Sequence, residues 1–229
     1  MNKVNSIIII AIIFCVSMEP VVAQSKKKLQ NTEKGAIIGS TSGAVIGGII
    51  GSKKSNTVLG AILGAVVGGA VGSVIGNKMD SHAKKIADEL GETAKVERIG
   101  EGIKVTFDNK MLFVTGKSYL NDDNKTDLQK FAGTLNEYPD TDLYIVGHTD
   151  NVGTLKYNKA LSVKRSTTVL NYLDEIGVGT LRLKASGFGE SQPIVSNNSS
   201  YNRSLNRRVE IAIYANDKMK AEAKKEAGM

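Results

Sequence analysis

The sequence predicts an α/β chain, an α+β sandwich with helices packed on one face of a mixed sheet, preceded by a glycine-zipper helical hairpin. Three observations carry this. Apolar residues alternate with period two at Ile103, Val105 and Phe107 and again at Val209, Ile211 and Ile213. Between these strands run helical stripes such as Leu128, Phe131 and Leu135. Ahead of both, glycines recur every four residues at 35, 39, 43, 47 and 51 and at 60, 64, 68, 72 and 76.

The elements follow in order. Residues 1–23 have the form of a secretory signal: Lys3 is the basic start, 7–16 an unbroken apolar run, Pro20 a breaker, and Val21-Val22-Ala23 a small-residue cleavage site before Gln24. Ten helical residues reach only about 15 Å, half the bilayer core, which favours a cleaved segment over an anchor. Cys15 lies inside the apolar run behind Ile12-Ile13-Phe14, and the bulky Phe14 does not suit lipid attachment. A cleaved chain would contain no cysteine, hence no disulfide and no cysteine-based metal site. Losing Lys3 and Glu19 together leaves the formal charge at +7, which favours an acidic partner surface.

Residues 24–34 form a basic linker with Lys26, Lys27, Lys28 and Lys34. Residues 35–78 then hold the zipper hairpin, its arms 35–51 and 58–76 free of charge and separated by the turn-like Ser52-Lys53-Lys54-Ser55-Asn56-Thr57. A step of four stays on one helical face, drifting about 40° per repeat. In water each interior glycine costs about 1 kcal/mol against alanine. In lipid the bare stripe permits close helix contact. Membrane association is the expectation for this segment; a hairpin buried against protein and a flexible linker are the alternatives. The linker would call for serine and polar residues rather than Ile-Ile-Gly and Val-Val-Gly.

Residues 79–101 read as a solvated connector helix to about Gly91, followed by the start of a hairpin with strands at 95–99 and 103–107. Asn121 or Asp122 caps a helix ending near Tyr138, where Pro139 stops it. A buried strand at 142–147 leads through the loop GHTDNVGT into a helix over 157–176, closed by Gly177. A strand at 183–188, a polar loop at 189–202 and the strand around Val209–Ile213 complete the domain at 102–217. Strand, helix and strand imply a parallel pair. The tail 218–229 is rich in Lys, Glu and Ala and reads as a frayed helix.

Two side chains stand out. Asp150 follows the end of a strand, where ligands of α/β sheets gather, and Arg165 lies fifteen residues later in the next helix. Together they could grip the ammonium and carboxylate of an amino-acid-like ligand, or simply pair with each other. His148 lacks a second histidine or any cysteine in its domain, which argues against a metal site or a catalytic base; a role in orienting the loop is expected instead. Tyr157 and Asn158 are expected to begin the helix and brace that loop.

Residues 102–214 resemble the OmpA-like peptidoglycan-binding domain of outer-membrane proteins, peptidoglycan-associated lipoproteins and flagellar stator proteins. The resemblance rests on LFVTGKSYL at 112–120, VGHTDNVG at 146–153, YNKALSVKR at 157–165, GFGESQPI at 187–194 and NRRVEI at 206–211, all in order. It implies that Asp150 takes an ammonium and Arg165 a carboxylate of the stem-peptide diaminopimelate. It also implies that Leu161 lines the pocket, Thr115 and Gly116 offer backbone contacts, and Arg207 lies close by. The implied function is a non-catalytic tether between outer membrane and cell wall, with its C-terminal domain in the periplasm. The implied partners are peptidoglycan and, through the zipper, outer-membrane lipid or proteins. No nucleic acid, cofactor or metal is implied, and homo-oligomerisation stays open. Pairing with a glycine zipper resembles small envelope proteins, often lipoproteins, from which this chain departs by lacking a usable lipid-attachment cysteine. A stator-like or transport role would need an intramembrane acid, and residues 35–76 contain none. A cell-wall hydrolase would need paired acids or a metal site, and the motif loops supply a single aspartate.

Overall fold

The structure is a computed structural model, and it describes residues 57–113 and 117–229. The signal, the basic linker and the first zipper arm lie outside the described residues, as do Thr115 and Gly116.

A five-stranded mixed sheet carries the fold, in the order β1-β2-β5-β3-β4. The strands are β1 (Ala94–Ile99), β2 (Gly102–Asp108), β3 (Thr141–His148), β4 (Leu183–Gly189) and β5 (Arg208–Ala215). β3 and β4 are parallel, with Leu143 opposite Leu183. The other neighbouring pairs are antiparallel. The hairpin and the later strands thus lie within about two residues of their expected positions.

One face of the sheet presents Ile103, Val105, Phe107, Leu143, Ile145, Val209, Ile211 and Ile213 to a single apolar core. Four helices close it: α2 (Gly69–Leu90), α4 (Asp122–Glu137), α5 (Leu155–Glu175) and α7 (Asp217–Glu226). The connector is therefore not a solvated helix. α2 begins ten residues before Met79 and buries Val71, Ile75, Met79, Ala83, Ile86 and Leu90, a stripe at three- and four-residue spacing. The C-terminal helix is anchored too, by Met219 and Ala223.

The expectation of helices on one face only is also corrected. A short helix, α1 (Thr57–Gly64), sets Val58 and Ile62 against Val146 and Ala212 on the opposite face. The second zipper arm is consequently two helices rather than one. Between them Gly68 and Gly69 both adopt positive φ, 74° and 63°, which a side chain would resist. Among the described residues no helix is long and apolar enough to cross a membrane.

The break is bound to the domain. Glu101, in the β1–β2 turn, accepts from the backbone N–H of Val67 at 2.8 Å and of Gly68 at 2.7 Å. A Cβ on Gly72 would overlap that carboxylate. Arg98 pairs with Asp80 at 2.7 Å, donates to the Gly76 carbonyl at 3.2 Å, and also donates to the Gly102 carbonyl. At Gly72 and Gly76 the glycine stripe therefore seats a β-hairpin, whereas Gly60 and Gly64 have open space beside them.

The polar loop after β4 contains an unexpected helix, α6 (Ser200–Asn206), capped by the Ser199 hydroxyl at 3.0 Å. A one-turn helix, α3 (Asn109–Leu112), follows β2.

Candidate functional site

Asp150 and Arg165 come near each other, at the candidate cleft, because α5 lies close against the sheet. Gly147 and Gly187 are paired across β3 and β4, and a Cβ on either would overlap the backbone of Ser162 or Val163. Ser162 fixes the contact: its hydroxyl donates to the Lys159 carbonyl and accepts from Gly189 N–H, both at 2.8 Å. The glycines of the GHTD and GFGE motifs thus serve helix packing.

Asp150 is 7% exposed, in the loop that follows β3. One carboxylate oxygen accepts from Val152 N–H at 3.0 Å, turning the loop, and the other meets Arg207 Nη1 at 2.6 Å. Its carbonyl accepts from Asn158 Nδ2 at 3.2 Å, and the same nitrogen reaches Glu190 at 2.5 Å. Thr154 caps α5 through Tyr157 N–H. Asn158 braces the loop, as expected.

Arg165 is 3% exposed. Its Nε donates to the Lys117 carbonyl at 3.1 Å, and its guanidinium carbon lies 5.4 Å from the centre of the Phe113 ring. Turned so that its oxygen faces the guanidinium, the Asn109 amide accepts from both terminal nitrogens at 3.2 and 3.3 Å. Burial, and then Arg207, lower the pKa of Arg165, while Tyr157 and Asp150 raise it. The group keeps its charge throughout.

The simple alternative, an Asp150–Arg165 salt bridge, is not formed. Asp150 pairs with Arg207, and no carboxylate among the described residues pairs with Arg165. Leu161 is half-buried one turn before Arg165 on α5. The structure therefore brings Asp150, Arg165 and Arg207 together, with Leu161 adjoining. Thr115 and Gly116 fall outside the described residues. Sequence reasoning missed Asn109, which lies outside every motif, and Phe113, which lies within LFVTGKSYL but carries no sign that its ring meets Arg165; both reach Arg165 only through folding.

His148 does not orient the loop by hydrogen bonding. It is fully buried on the α1 side of the sheet with neither ring nitrogen bonded, and its ring stacks toward Phe188 at 6.3 Å. Burial, aided by Arg208, pushes its pKa down to about 3, so the ring is neutral. Arg208 and Glu210 form a buried ion pair at 2.7 Å on the same face. No cluster of metal-binding side chains occurs among the described residues.

Residues 112–207 match the OmpA family, and residues 1–80 match the YMGG-like Gly-zipper family. The probable lipoprotein YiaD of Escherichia coli is 35% identical over 180 residues, which cover 78% of this chain and 82% of that protein. Outer membrane porin F of Pseudomonas aeruginosa is 37% identical over 142 residues, 61% of this chain but only 38% of the porin. Among solved structures, the cell wall anchor of the type VI secretion system from Pseudomonas aeruginosa aligns with a TM-score of 0.53 and 29% identity, covering 58% of this chain and 96% of that one. The chain belongs to the OmpA family, its family domain preceded by a YMGG-like glycine-zipper segment.

Proposed function

We propose that this chain is a non-catalytic envelope protein that binds peptidoglycan and tethers the outer membrane to the cell wall. The observation that carries the reading is Arg165. A buried guanidinium is held in place by an aromatic ring and neutral oxygens, without an acidic partner among the described residues. A charge so held is costly unless an anion meets it. Asp150 supplies the complementary end, where a ligand ammonium would approach a carboxylate already turned by Val152 and Arg207. An α-amino acid group, as on stem-peptide diaminopimelate, satisfies both at once. Leu161 borders the cleft, and the family resemblance adds backbone contacts from Thr115 and Gly116.

The likeness to a secretion-system cell wall anchor supports the choice of ligand, and the outer-membrane relatives support the compartment. The membrane side of the tether is assigned to the zipper, with its first arm, 35–51, as the membrane contact.

The test is a pull-down of full-length protein on purified sacculi, run beside thermal melting. Asp150→Ala and Arg165→Ala should each lower affinity at least thirtyfold, about 2 kcal/mol or more, while the variants stay folded. Folded variants that bind as the parent does would refute the assignment.

A further inference from the structure

Three residues of the cleft converge on Asn109, which opens α3 and is 6% exposed. Its backbone N–H donates at 3.0 Å to the carbonyl of Arg207, the residue that pairs with Asp150. Its own carbonyl accepts at 3.0 Å from the N–H of Phe113, whose ring lies beside the Arg165 guanidinium. Its amide oxygen receives both terminal nitrogens of Arg165, at 3.2 and 3.3 Å. One buried side chain thus joins the Asp150 side of the cleft to the Arg165 side.

The chemistry of that oxygen decides the charge left for a ligand. Arg207 and Asp150 offset each other, and Glu190 nearby accepts from Asn158. Arg165 meets only neutral oxygens among the described residues, the Lys117 carbonyl and the Asn109 amide. They fix the orientation of the guanidinium without neutralising it. A carboxylate in place of the amide would neutralise Arg165 from inside the protein, and a ligand carboxylate would then have to displace it. The surroundings call for an amide: its oxygen faces donors and its nitrogen faces acceptors, a division that neither a carboxylate nor an apolar side chain meets.

We propose that Asn109 determines which charge state of the ligand is taken. By orienting Arg165 through a neutral oxygen it reserves the guanidinium for an ionised carboxylate. The cleft then selects diaminopimelate whose carboxylate is free and discriminates against the form in which that group is a carboxamide. A carboxamide brings no charge to a guanidinium that is 3% exposed, and it leaves that guanidinium without an anion. The inference rests on the peptidoglycan reading above and adds to it the residue that sets ligand charge.

The experiment compares two soluble probes on the full-length protein by calorimetric titration, with thermal melting of each variant alongside. One is the tripeptide ending in diaminopimelate; the other is the same tripeptide with a carboxamide in place of the carboxylate beside the free ammonium. The parent should bind the carboxylate form about thirtyfold or more tighter. Asn109→Asp should shrink that preference to about threefold or less, by weakening the carboxylate form and sparing the carboxamide form. Asn109→Ala only loosens the guanidinium, so it should weaken the carboxylate form about fivefold and keep a preference of about tenfold or more. A residue that merely supports the fold would leave the preference of Asn109→Asp at the parental value. That result, or unchanged affinity in Asn109→Ala, overturns the role of Asn109, and either variant suffices if the other does not fold. A parent that binds both forms alike removes this inference and leaves the peptidoglycan reading standing. A parent that binds neither removes both.

Discussion

Arg165 and Asp150 illustrate how far single residues carry the account. Their motifs mark both in the sequence, and Arg207 with them. What the motifs do not show is the pairing: Asp150 is neutralised by Arg207, while Arg165 rests on Phe113, Asn109 and the Lys117 carbonyl, 48 positions away in the chain. Such partners reach Arg165 from α3 and the chain that follows it, which no local pattern in α5 encodes. Arg207→Ala should therefore leave a nearly buried carboxylate short of its partner and cost roughly 1–3 kcal/mol of stability, read by denaturant unfolding. The histidines give a pH prediction. His82 is fully buried, stacks on Tyr138 at 4.0 Å, and has its pKa pushed from 6.5 down to about 3 by burial and then by Arg182. His148 is lowered to about 3 as well. In the window between about 6.5 and 3 the unfolded chain takes up protons that the folded chain refuses. Stability is thus full above that window and falls as pH drops through it, by at most about 1.4 kcal/mol per pH unit for each histidine. His82→Phe keeps the stacking and cannot protonate, so melting temperatures measured from pH 7 to 4 should fall less steeply in that variant.

The elements show where period and capping sufficed and where they did not. Strands and the helices α4 and α5 follow from alternation, apolar stripes and stop signals, with ends within about two residues of the expected ones. The second zipper arm was legible as helix, but its break was not. Two adjacent glycines in a stripe of glycines carry no distinct signal, and the capping carboxylate comes from Glu101, 33 residues on. α6 was hidden because it is short and mostly polar, with only Tyr201 and Leu205 to suggest a stripe, leaving the Ser199 cap as the clearest sign. Glu101→Ala removes two charge-assisted bonds at the start of α2 and should cost about 1–2 kcal/mol. Hydrogen exchange should report it first at the amides of Val67 and Gly68. Gly147→Ala is the corresponding test of the α5 seat. Its methyl would push Ser162 and the helix off the sheet, a cost of about 1–3 kcal/mol with a parallel loss of sacculus binding.

Across the whole molecule, the sheet and the helix-covered core place the cleft at the end of β3 where it meets α5, with Arg207 arriving from the segment just before β5. The second sheet face is closed by α1, which belongs to the zipper in sequence and to the domain in packing. Thr57 exchanges hydrogen bonds with Gln192 at 2.7 and 3.4 Å, and the Gln192 carbonyl accepts from Arg208, the neighbour of the cleft's Arg207. The start of the second zipper arm is thus fastened to the loop after β4, which in turn holds Arg208 beside the candidate cleft. Nothing in the glycine period announced this, because a stripe that suits helix contact suits a β-hairpin equally well.

The most direct measurement is a titration of the full-length protein with the diaminopimelate tripeptide, followed by NMR at the backbone amides of the 149–153 loop and at the Arg165 Nε–H. Saturable shifts confined to Asp150, Val152, Lys117 and Arg165, absent in Asp150→Ala and Arg165→Ala, are the predicted result. Unchanged spectra at saturating tripeptide, or shifts that persist in both variants, would contradict it.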